Sequence, residues 1–305
     1  MSIRFDGRVA IVTGAAAGLG RSHARALAAR GAKLVINDFG GAVDGSGGSS
    51  GPAEQVATEI RAAGGEAIAH GANVTDPVQV GQMVASALEK WGRVDILINN
   101  AGILRDASFA KMTLADFQAV VNVHLIGAAV CCQAVWPLMR AANYGRILMT
   151  TSSSGLYGNF GQSNYGAAKT GLIGLMNVLQ IEGAKHDIRV NALSPGAATR
   201  MTEGLMPAEM LVHMTPESVT PAALFLVSED APRRTILCAI AGGFSRLLLQ
   251  ETEGVFLPEQ DRTPEAIAAL FGQICDQSTA VLHEDAVVPA MKFVDQAAAA
   301  AKRPA

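Results

Sequence analysis

The sequence is poor in charged residues, aromatic residues and cysteine. Charged residues make up 17% of its 305 residues and aromatic residues 5%, and the formal net charge at pH 7 is −3. It has no long cluster of lysine and arginine, which argues against nucleic acid as a partner. The four cysteines lack the spacing of metal ligands, so we expect free, mostly buried thiols, a reducing compartment and no metal site. They are Cys131, Cys132, Cys238 and Cys275.

The sequence also lacks a clean apolar run of membrane-spanning length. Residues 120–139 are largely apolar, but polar residues and a proline interrupt them, so we expect a buried or interfacial helix. The first eight residues are polar and lead directly into a strand pattern, unlike a signal peptide. We therefore expect a cytoplasmic protein that does not bind membranes.

Ala, Gly, Val and Leu are abundant, and they form alternating strand-like and helix-like segments. This alternation is typical of βαβ units and predicts an α/β fold: a Rossmann-like, doubly wound parallel sheet of about seven strands. The predicted strands are 8–13, 33–37, 66–72, 94–98, 146–151, 188–193 and 236–240, and the clearest helices are 19–30, 115–140 and one beginning near Ser163.

Two segments depart from this alternation. The Gly/Ser-rich insertion 40–51 has no apolar periodicity, and we interpret it as a flexible surface loop. Residues 246–305 exceed what closing such a sheet requires, although 264–274 has a helical pattern. We predict a single domain over 1–245 and a C-terminal extension over 246–305, which is either a packing arm or an active-site cover.

A glycine-rich turn, residues 13–20, lies between the first predicted strand and helix. Glycine permits a tight turn, lets the backbone approach a pyrophosphate and allows close packing of helix on strand. The helix N-terminus adds N–H donors and a partial positive charge for phosphates. The predicted cofactor contacts here are Gly14, Gly18, Leu19 and Gly20.

Further cofactor contacts are predicted where the next strands end. Asp38 follows the second strand, where a carboxylate can accept hydrogen bonds from ribose hydroxyls and would repel a 2′-phosphate. No lysine or arginine lies at residues 15–17 or directly after Asp38, so NAD is favoured over NADP. Because ligands bind beyond the carboxyl ends of parallel strands, Asn73, Val74 and Asn100 join the predicted site.

Tyr165 and Lys169 are four residues apart on a predicted helix and therefore share one of its faces. The pKa of a free phenol is about 10, and a neighbouring ammonium group would lower it toward neutrality. This pattern favours Tyr165 as an acid/base group. Ser152 follows a strand ending at the same edge, and its hydroxyl is suited to holding a substrate oxygen. Ser153 and Ser154 compete for this role.

In order and spacing, these residues resemble the short-chain dehydrogenase/reductase family over about residues 5–245. The resemblance implies hydride transfer between NAD and a secondary alcohol or ketone, with Ser152, Tyr165 and Lys169 as the catalytic residues. It also implies that Tyr165 and Lys169 contact the cofactor, and that homodimers or homotetramers form through two long helices. The motifs are Thr13-Gly14-x3-Gly18-x-Gly20, Asn99-Asn100-Ala101-Gly102, Tyr165-x3-Lys169 and Pro195-Gly196.

Within that family, several segments are similar to the (3R)-hydroxyacyl-CoA dehydrogenase unit of peroxisomal multifunctional enzyme type 2. This implies a 3-hydroxyacyl-CoA-type substrate, with Arg105 and Arg200 as candidate contacts for CoA phosphates. The C-terminal Arg303-Pro304-Ala305 is not a peroxisomal address, which implies a free-standing cytoplasmic relative. The similar segments are 37–41 with the insertion, 102–106, 157–162, 200–202 and the long tail.

Three questions stay open at this level. Steroids or other bulky secondary alcohols fit the same chemistry as a hydroxyacyl-CoA. A non-catalytic NAD-sensing protein is an alternative of another class, although such proteins often lose the tyrosine or lysine that is present here. Finally, the wider family usually has a catalytic asparagine where this chain has His124, so His124 is either part of a proton relay or a satisfied core histidine.

Overall fold

The computed structural model describes residues 2–49, 51–199 and 208–301. They divide into two compact units, Met1–Arg246 and Leu247–Ala305. The sequence motifs described above lie in the larger unit, which is built on one sheet.

The sheet has eight strands in the order β3-β2-β1-β4-β5-β6-β7-β8. Neighbours from β3 through β7 pair in parallel. The chain starts at β1, winds outward to β3 and then returns to place β4 on the other side of β1, so a crevice opens at the carboxyl ends of β1 and β4. The strands are β1 Val9–Thr13, β2 Lys33–Asn37, β3 Glu66–His70, β4 Ile96–Asn99, β5 Gly145–Thr150, β6 Ile188–Gly196, β7 Ile236–Ile240 and β8 Gly243–Leu247.

The predicted doubly wound, Rossmann-like α/β fold is confirmed. The central strands are continuous apolar runs because helices cover both faces of the sheet, and every residue of β1, β4 and β5 is buried. The number of strands differs from the prediction because β8 follows β7 after a two-residue turn. Ala241 and Gly242 both have positive φ there, 49° and 79°, and so short a connection can join only antiparallel strands.

Helices pack on both faces of the sheet. On one face α1 packs on α9, and α2 covers β2 and β3; on the other, α5 packs on both α3 and α7. The helices of this unit are α1 Gly18–Ala28, α2 Gly51–Ala62, α3 Pro77–Trp91, α4 Leu114–Val121, α5 Gly127–Ala142, α6 Ser153–Tyr157, α7 Ser163–Gly183, α8 Ala208–Leu211 and α9 Pro216–Leu226.

The predicted long helix 115–140 is two helices joined by a π-helical turn, Asn122–Ile126, in which the Gly127 N–H donates to the Asn122 carbonyl. Among the described residues, Leu114–Ala142 has the length and hydropathy of a membrane span. Its α5 part nevertheless buries one side against α3 and the sheet. Only 39% of its apolar window is buried in this part of the chain, so we interpret the segment as a helix with one buried side and one side available for an interface.

The predicted insertion lies at the surface, as expected, but its last residue was placed wrongly because Gly51 already belongs to α2. Residues 40–49 are irregular, and none of them is buried. The Ser49 N–H donates to the Phe39 carbonyl over 2.8 Å, which closes the loop at its base. The flexibility expected from its Gly/Ser-rich composition stays a prediction.

Within residues 247–301, the α-helices of the smaller unit are α10 Pro264–Ile274 and α11 Val287–Ala301. The first confirms the predicted helical segment 264–274. An antiparallel bridge pairs Glu251 with Val281, and the Lys292 ammonium donates to the Glu253 carbonyl over 2.7 Å.

Candidate active site

A pocket of about 430 Å3 opens at the carboxyl ends of β1, β2 and β4. It lies where the order of strands along the chain reverses, the usual ligand position in an open parallel sheet. Most of the predicted cofactor contacts line it: Gly14, Gly18, Leu19, Asp38, Asn73, Val74 and Asn100. The predicted contacts Gly20, Tyr165 and Lys169 are not among its lining residues.

The turn after β1 requires its glycines. Gly14 has φ +64°, and a Cβ there would lie 2.8 Å from the Ala101 Cα. A Cβ on Gly20 would lie 2.2 Å from the Gly14 carbonyl oxygen. Because these glycines have no Cβ, the backbone packs closely on one side of the turn. The other side stays open to a ligand.

Hydrogen bonds between Thr13, at the end of β1, and Asn100, just after β4, hold this turn in place. The Asn100 side-chain amide donates to the carbonyls of Thr13 and Gly14, both over 3.0 Å. In return, the Thr13 hydroxyl accepts from the N–H groups of Asn100 and Ala101. Asn100 thus lines the pocket while its amide group holds the glycine turn, a role that its position in the sequence did not reveal.

Asp38 sits between the glycine turn and the insertion. Its carboxylate accepts from the N–H of Ala16 over 2.9 Å and from the N–H of Gly40 over 2.7 Å. Each oxygen keeps a second acceptor position, so the carboxylate can also accept from a ribose hydroxyl. Asn73 also lines the pocket, and its side-chain oxygen Oδ1 accepts hydrogen bonds from the N–H and the hydroxyl of Thr75.

Ser152, Tyr165 and Lys169 converge beside the end of β5. Ser152 caps α6, and its hydroxyl oxygen accepts from the Ser154 N–H over 3.2 Å. A hydrogen bond from the Ser152 hydroxyl also favours the ionised form of the Tyr165 phenol. This contact distinguishes Ser152 from Ser153 and Ser154, which the sequence left as competitors.

Lys169 is buried below the phenol, with 3% of its surface exposed. Its ammonium donates to the Thr150 carbonyl over 2.5 Å and lies 5.3 Å from the centroid of the Tyr165 ring. Burial lowers the pKa of Lys169 to about 7, because removal from water disfavours the charged form.

The expected lowering of the phenol pKa is not found in the chain by itself. Burial raises the pKa of Tyr165 above its ordinary value, and the negative charge of Asp106 raises it further. The hydrogen bond from Ser152 opposes both effects without cancelling them. The prediction considered the neighbouring lysine but not the desolvation of the phenol itself.

His124 projects from the π-helical turn against Tyr165. The two rings meet edge to face, with centroids 5.1 Å apart. The His124 Nε2 atom lies 2.8 Å from the Ile103 carbonyl oxygen, and a Cβ on Gly102 would lie 2.1 Å from the ring. Burial and the charge of Lys169 hold the pKa of His124 well below 6.5, so the ring is neutral.

Behind these rings lies a cavity of about 10 Å3, lined by Thr13, Asn99, His124 and Lys169 among others. The His124 Nδ1 and Asn99 Oδ1 atoms are buried and have no hydrogen-bond partner within the described ranges. A space of this size with polar walls can hold one water molecule. One water there would complete the hydrogen bonds of a core histidine and would equally serve a proton relay, so both alternatives for His124 stay open.

One network in the site was not singled out from the sequence. The Gln162 amide donates to the Asp106 carboxylate over 2.7 Å, and the Asn164 amide donates to the Arg105 carbonyl over 2.9 Å. These bonds tie the start of α7, just before Tyr165, to the segment after β4. Arg105, Asp106 and Gln162 lie within two of the segments that carry the resemblance, 102–106 and 157–162. Asn164 lies beside Tyr165. This nearness to known motifs was the one sign in the sequence that these residues belong to the site.

Some predicted features lie outside the described residues. Arg200 and the segment 200–202 are among them. Across residues 2–49, 51–199 and 208–301, no three His, Cys, Asp or Glu side chains come together as metal ligands.

Comparisons with known proteins agree with this geometry. Residues 8–209 match the family model for short chain dehydrogenases. The chain is 44% identical to peroxisomal multifunctional enzyme type 2 of Mus musculus over 91% of this chain and 38% of that protein. It therefore spans well under half the length of this relative. It is 42% identical to a 3-oxoacyl-[acyl-carrier-protein] reductase of Synechocystis over 73% of this chain and 90% of that one.

Two solved structures share the fold. Full-length peroxisomal multifunctional enzyme type 2 from Drosophila melanogaster matches with a TM-score of 0.79 and 38% identity, covering 96% of this chain and 50% of that one. A 7α-hydroxysteroid dehydrogenase complexed with NADH and 7-oxo glycochenodeoxycholic acid matches with a TM-score of 0.71 and 30% identity, covering 81% of this chain and 97% of that one.

Proposed function

The chain belongs to the short-chain dehydrogenase family of nicotinamide-dependent oxidoreductases, and on this premise we propose that it uses NAD to interconvert a secondary alcohol and a ketone in a 3-hydroxyacyl-CoA-type substrate. The observation that carries the proposal is the meeting of three groups beside the pocket: the hydroxyls of Ser152 and Tyr165 and the buried ammonium of Lys169.

The residues present fit a nicotinamide dinucleotide. The glycine turn leaves a cradle that any Cβ at Gly14 or Gly20 would fill, and the N-terminus of α1 supplies N–H donors for a pyrophosphate. Asp38 has acceptor positions left for ribose hydroxyls, which supports NAD over NADP. Among the described residues, Arg105 is the arginine that lines the pocket, and it is already bound to Asp44 and Asp116.

In the oxidation direction, the Ser152 hydroxyl holds the substrate oxygen and the Tyr165 phenolate takes the hydroxyl proton. When bound, the oxidised nicotinamide would supply the hydride acceptor and a positive charge near the phenol. Lys169, with a pKa of about 7, can give and take a proton near neutral pH. We propose that this proton passes through the polar cavity beside His124, whose buried Nδ1 has no hydrogen-bond partner among the described residues.

Replacing the acid/base group tests the proposal. Tyr165→Phe removes the proton acceptor, so turnover should fall at least about a hundredfold while NADH still binds. Tyr157→Phe is the matched control, because Tyr157 lies eight residues earlier in the chain and is 74% exposed. An active Tyr165→Phe variant would contradict the assignment.

The substrate is tested by saturation kinetics. We expect kcat/KM to depend on chain length across a series of 3-hydroxyacyl-CoA thioesters, because an acyl chain contributes binding through its buried apolar surface. A second candidate, a steroid or other bulky secondary alcohol, is favoured by the likeness to the 7α-hydroxysteroid dehydrogenase. Flat rates across the thioesters together with saturation by steroid alcohols would replace the first candidate with the second.

We further propose a homodimer or homotetramer assembled through α5 and α7. Support comes from exposed apolar side chains near and on these helices: Ile126, Val178 and Ile181 are each about half exposed. Such patches mark association surfaces. Sedimentation of the full chain and of a Val178→Asp variant tests this assembly, since a charge at the interface should dissociate it.

We also propose a domain spanning residues 1–245 and a cytoplasmic location. For residues 246–305 we propose a role as a packing arm or an active-site cover.

A further inference from the structure

The segment after β4, residues 103–107, is hydrogen-bonded to three parts of the larger unit. On one side it meets the insertion, because the Leu104 N–H donates to the Val43 carbonyl over 2.9 Å. On another it meets the loop before α7, because the Ala107 N–H donates to the Gly161 carbonyl over 2.9 Å. The third contact, between Ile103 and His124, is described above. This segment therefore connects the wall of the cofactor pocket with the acid/base residues.

The insertion, residues 40–49, forms part of that wall. Gly41, Ala42, Val43 and Gly45 all line the pocket. Gly45 has φ +88° and packs against Ile103, whose side chain would lie 3.2 Å from a Cβ at this position. A run with so few side chains has little apolar surface of its own to bury, so its position depends on bonds to its neighbours.

Arg105 makes the strongest of those bonds. Its Nε donates to the Asp44 carbonyl over 2.9 Å, and its Nη1 donates to the Asp116 carboxylate near the start of α4 over 3.1 Å. The side chains of Arg105 and Asp116 are 34% and 38% exposed. The planar guanidinium can hold two acceptors at fixed angles, so one side chain fastens the insertion to α4 across the rim of the pocket.

We propose that Arg105 is a positioning residue for the nucleotide: it fastens the insertion 40–49 as one wall of the cofactor pocket, and Asp116 holds Arg105 in place. This inference rests on the proposed NAD-dependent function. It also gives Arg105 a different role from the one considered from the sequence, which was contact with CoA phosphates.

The test compares Arg105→Ala, Arg105→Lys and the control Arg4→Ala, which removes another arginine–aspartate pair at the surface. NADH affinity is measured by calorimetry, and hydrogen exchange follows the backbone amides of residues 39–49. Arg105→Ala should weaken NADH binding about threefold to tenfold, as expected for loss of one exposed hydrogen bond of ordinary strength, and should speed exchange in the insertion. Arg105→Lys should fall between Arg105→Ala and the parent, because an ammonium lacks the planar fork, and Arg4→Ala should change neither readout.

Two results would overturn the inference while leaving the proposed function intact. One is NADH binding by Arg105→Ala as tight as that of the parent protein. The other is unchanged exchange in the insertion combined with a raised KM for a CoA thioester only, which would make Arg105 a phosphate contact. Failure of the parent protein to bind NADH would refute the proposed function and this inference with it.

Discussion

Gly102→Ala is the substitution whose cost follows most directly from the geometry. A methyl group at this position would lie 2.1 Å from the Cε1 atom of His124 and 2.9 Å from each ring nitrogen. Ordinary carbon contacts are at about 3.5 Å, so the buried ring must retreat by about 1.4 Å. A displacement of that size breaks the 2.8 Å contact between His124 Nε2 and the Ile103 carbonyl.

The expected loss combines two effects. Overpacking a core costs about 1–3 kcal/mol, and stranding a buried hydrogen-bonding group costs about 1–3 kcal/mol, so the free energy of unfolding should fall by about 2–6 kcal/mol. Catalysis should fall as well, because the ring moves relative to the Tyr165 phenol that it contacts.

Urea unfolding followed by tryptophan fluorescence measures this loss, since both tryptophans, Trp91 and Trp136, lie in the larger unit. Gly81→Ala is the control: a Cβ there meets nothing within 4 Å, and alanine favours the α3 helix. In the double variant, His124→Ala should offset part of the stability lost through Gly102→Ala, because the smaller side chain leaves room for the added methyl group. A double-mutant cycle should give a coupling free energy of at least about 1 kcal/mol between the two substitutions. Strictly additive effects, or a Gly102→Ala protein as stable as its parent, would refute the reasoning.

Two further predictions concern the ionised groups of the site. The negative charge of Asp106 raises the pKa of Tyr165, and oxidation needs the phenolate. In Asp106→Asn, the rise of kcat/KM with increasing pH should therefore occur at lower pH than in the parent protein. A rise at higher pH, or at the same pH, would contradict the predicted direction. Asp38→Ala removes the carboxylate that repels a 2′-phosphate, so the preference for NAD over NADP in kcat/KM should fall by about tenfold. Initial-rate assays with both nucleotides measure this preference. An unchanged preference would mean that other residues distinguish NAD from NADP.

Apolar runs and glycine placement predicted most of the sheet and the order of its elements. Strands β2 and β7 have the predicted bounds, because a buried parallel strand needs a short, continuous apolar run. Strand β8 was missed because Gly243–Leu247 is mostly exposed and carries no such run. Only the positive-φ turn at Ala241 and Gly242 marks it, and alanine rarely adopts that conformation.

Site residues were predictable where they belong to a motif, and less so where only the three-dimensional arrangement defines their role. The spacing of Tyr165 and Lys169 placed both on one face of α7, as the structure shows. Spacing does not report burial, however, and burial decides the direction of the Tyr165 pKa shift. Likewise, the bonds from Arg105 to Asp44 and Asp116 join residues 61 and 11 positions away, contacts that no local pattern contains.

The π-helical turn Asn122–Ile126 makes the length of this segment as important as its composition. It holds one residue more than the corresponding stretch of α-helix, and the wider winding of the turn absorbs that residue. Deleting a single amino acid here would restore regular winding and leave α5 facing almost the same way relative to α4. The buried side of α5, with Cys131, Val135 and Met139, would still face the sheet. The change would fall on the turn itself, and therefore on His124, whose ring meets that of Tyr165.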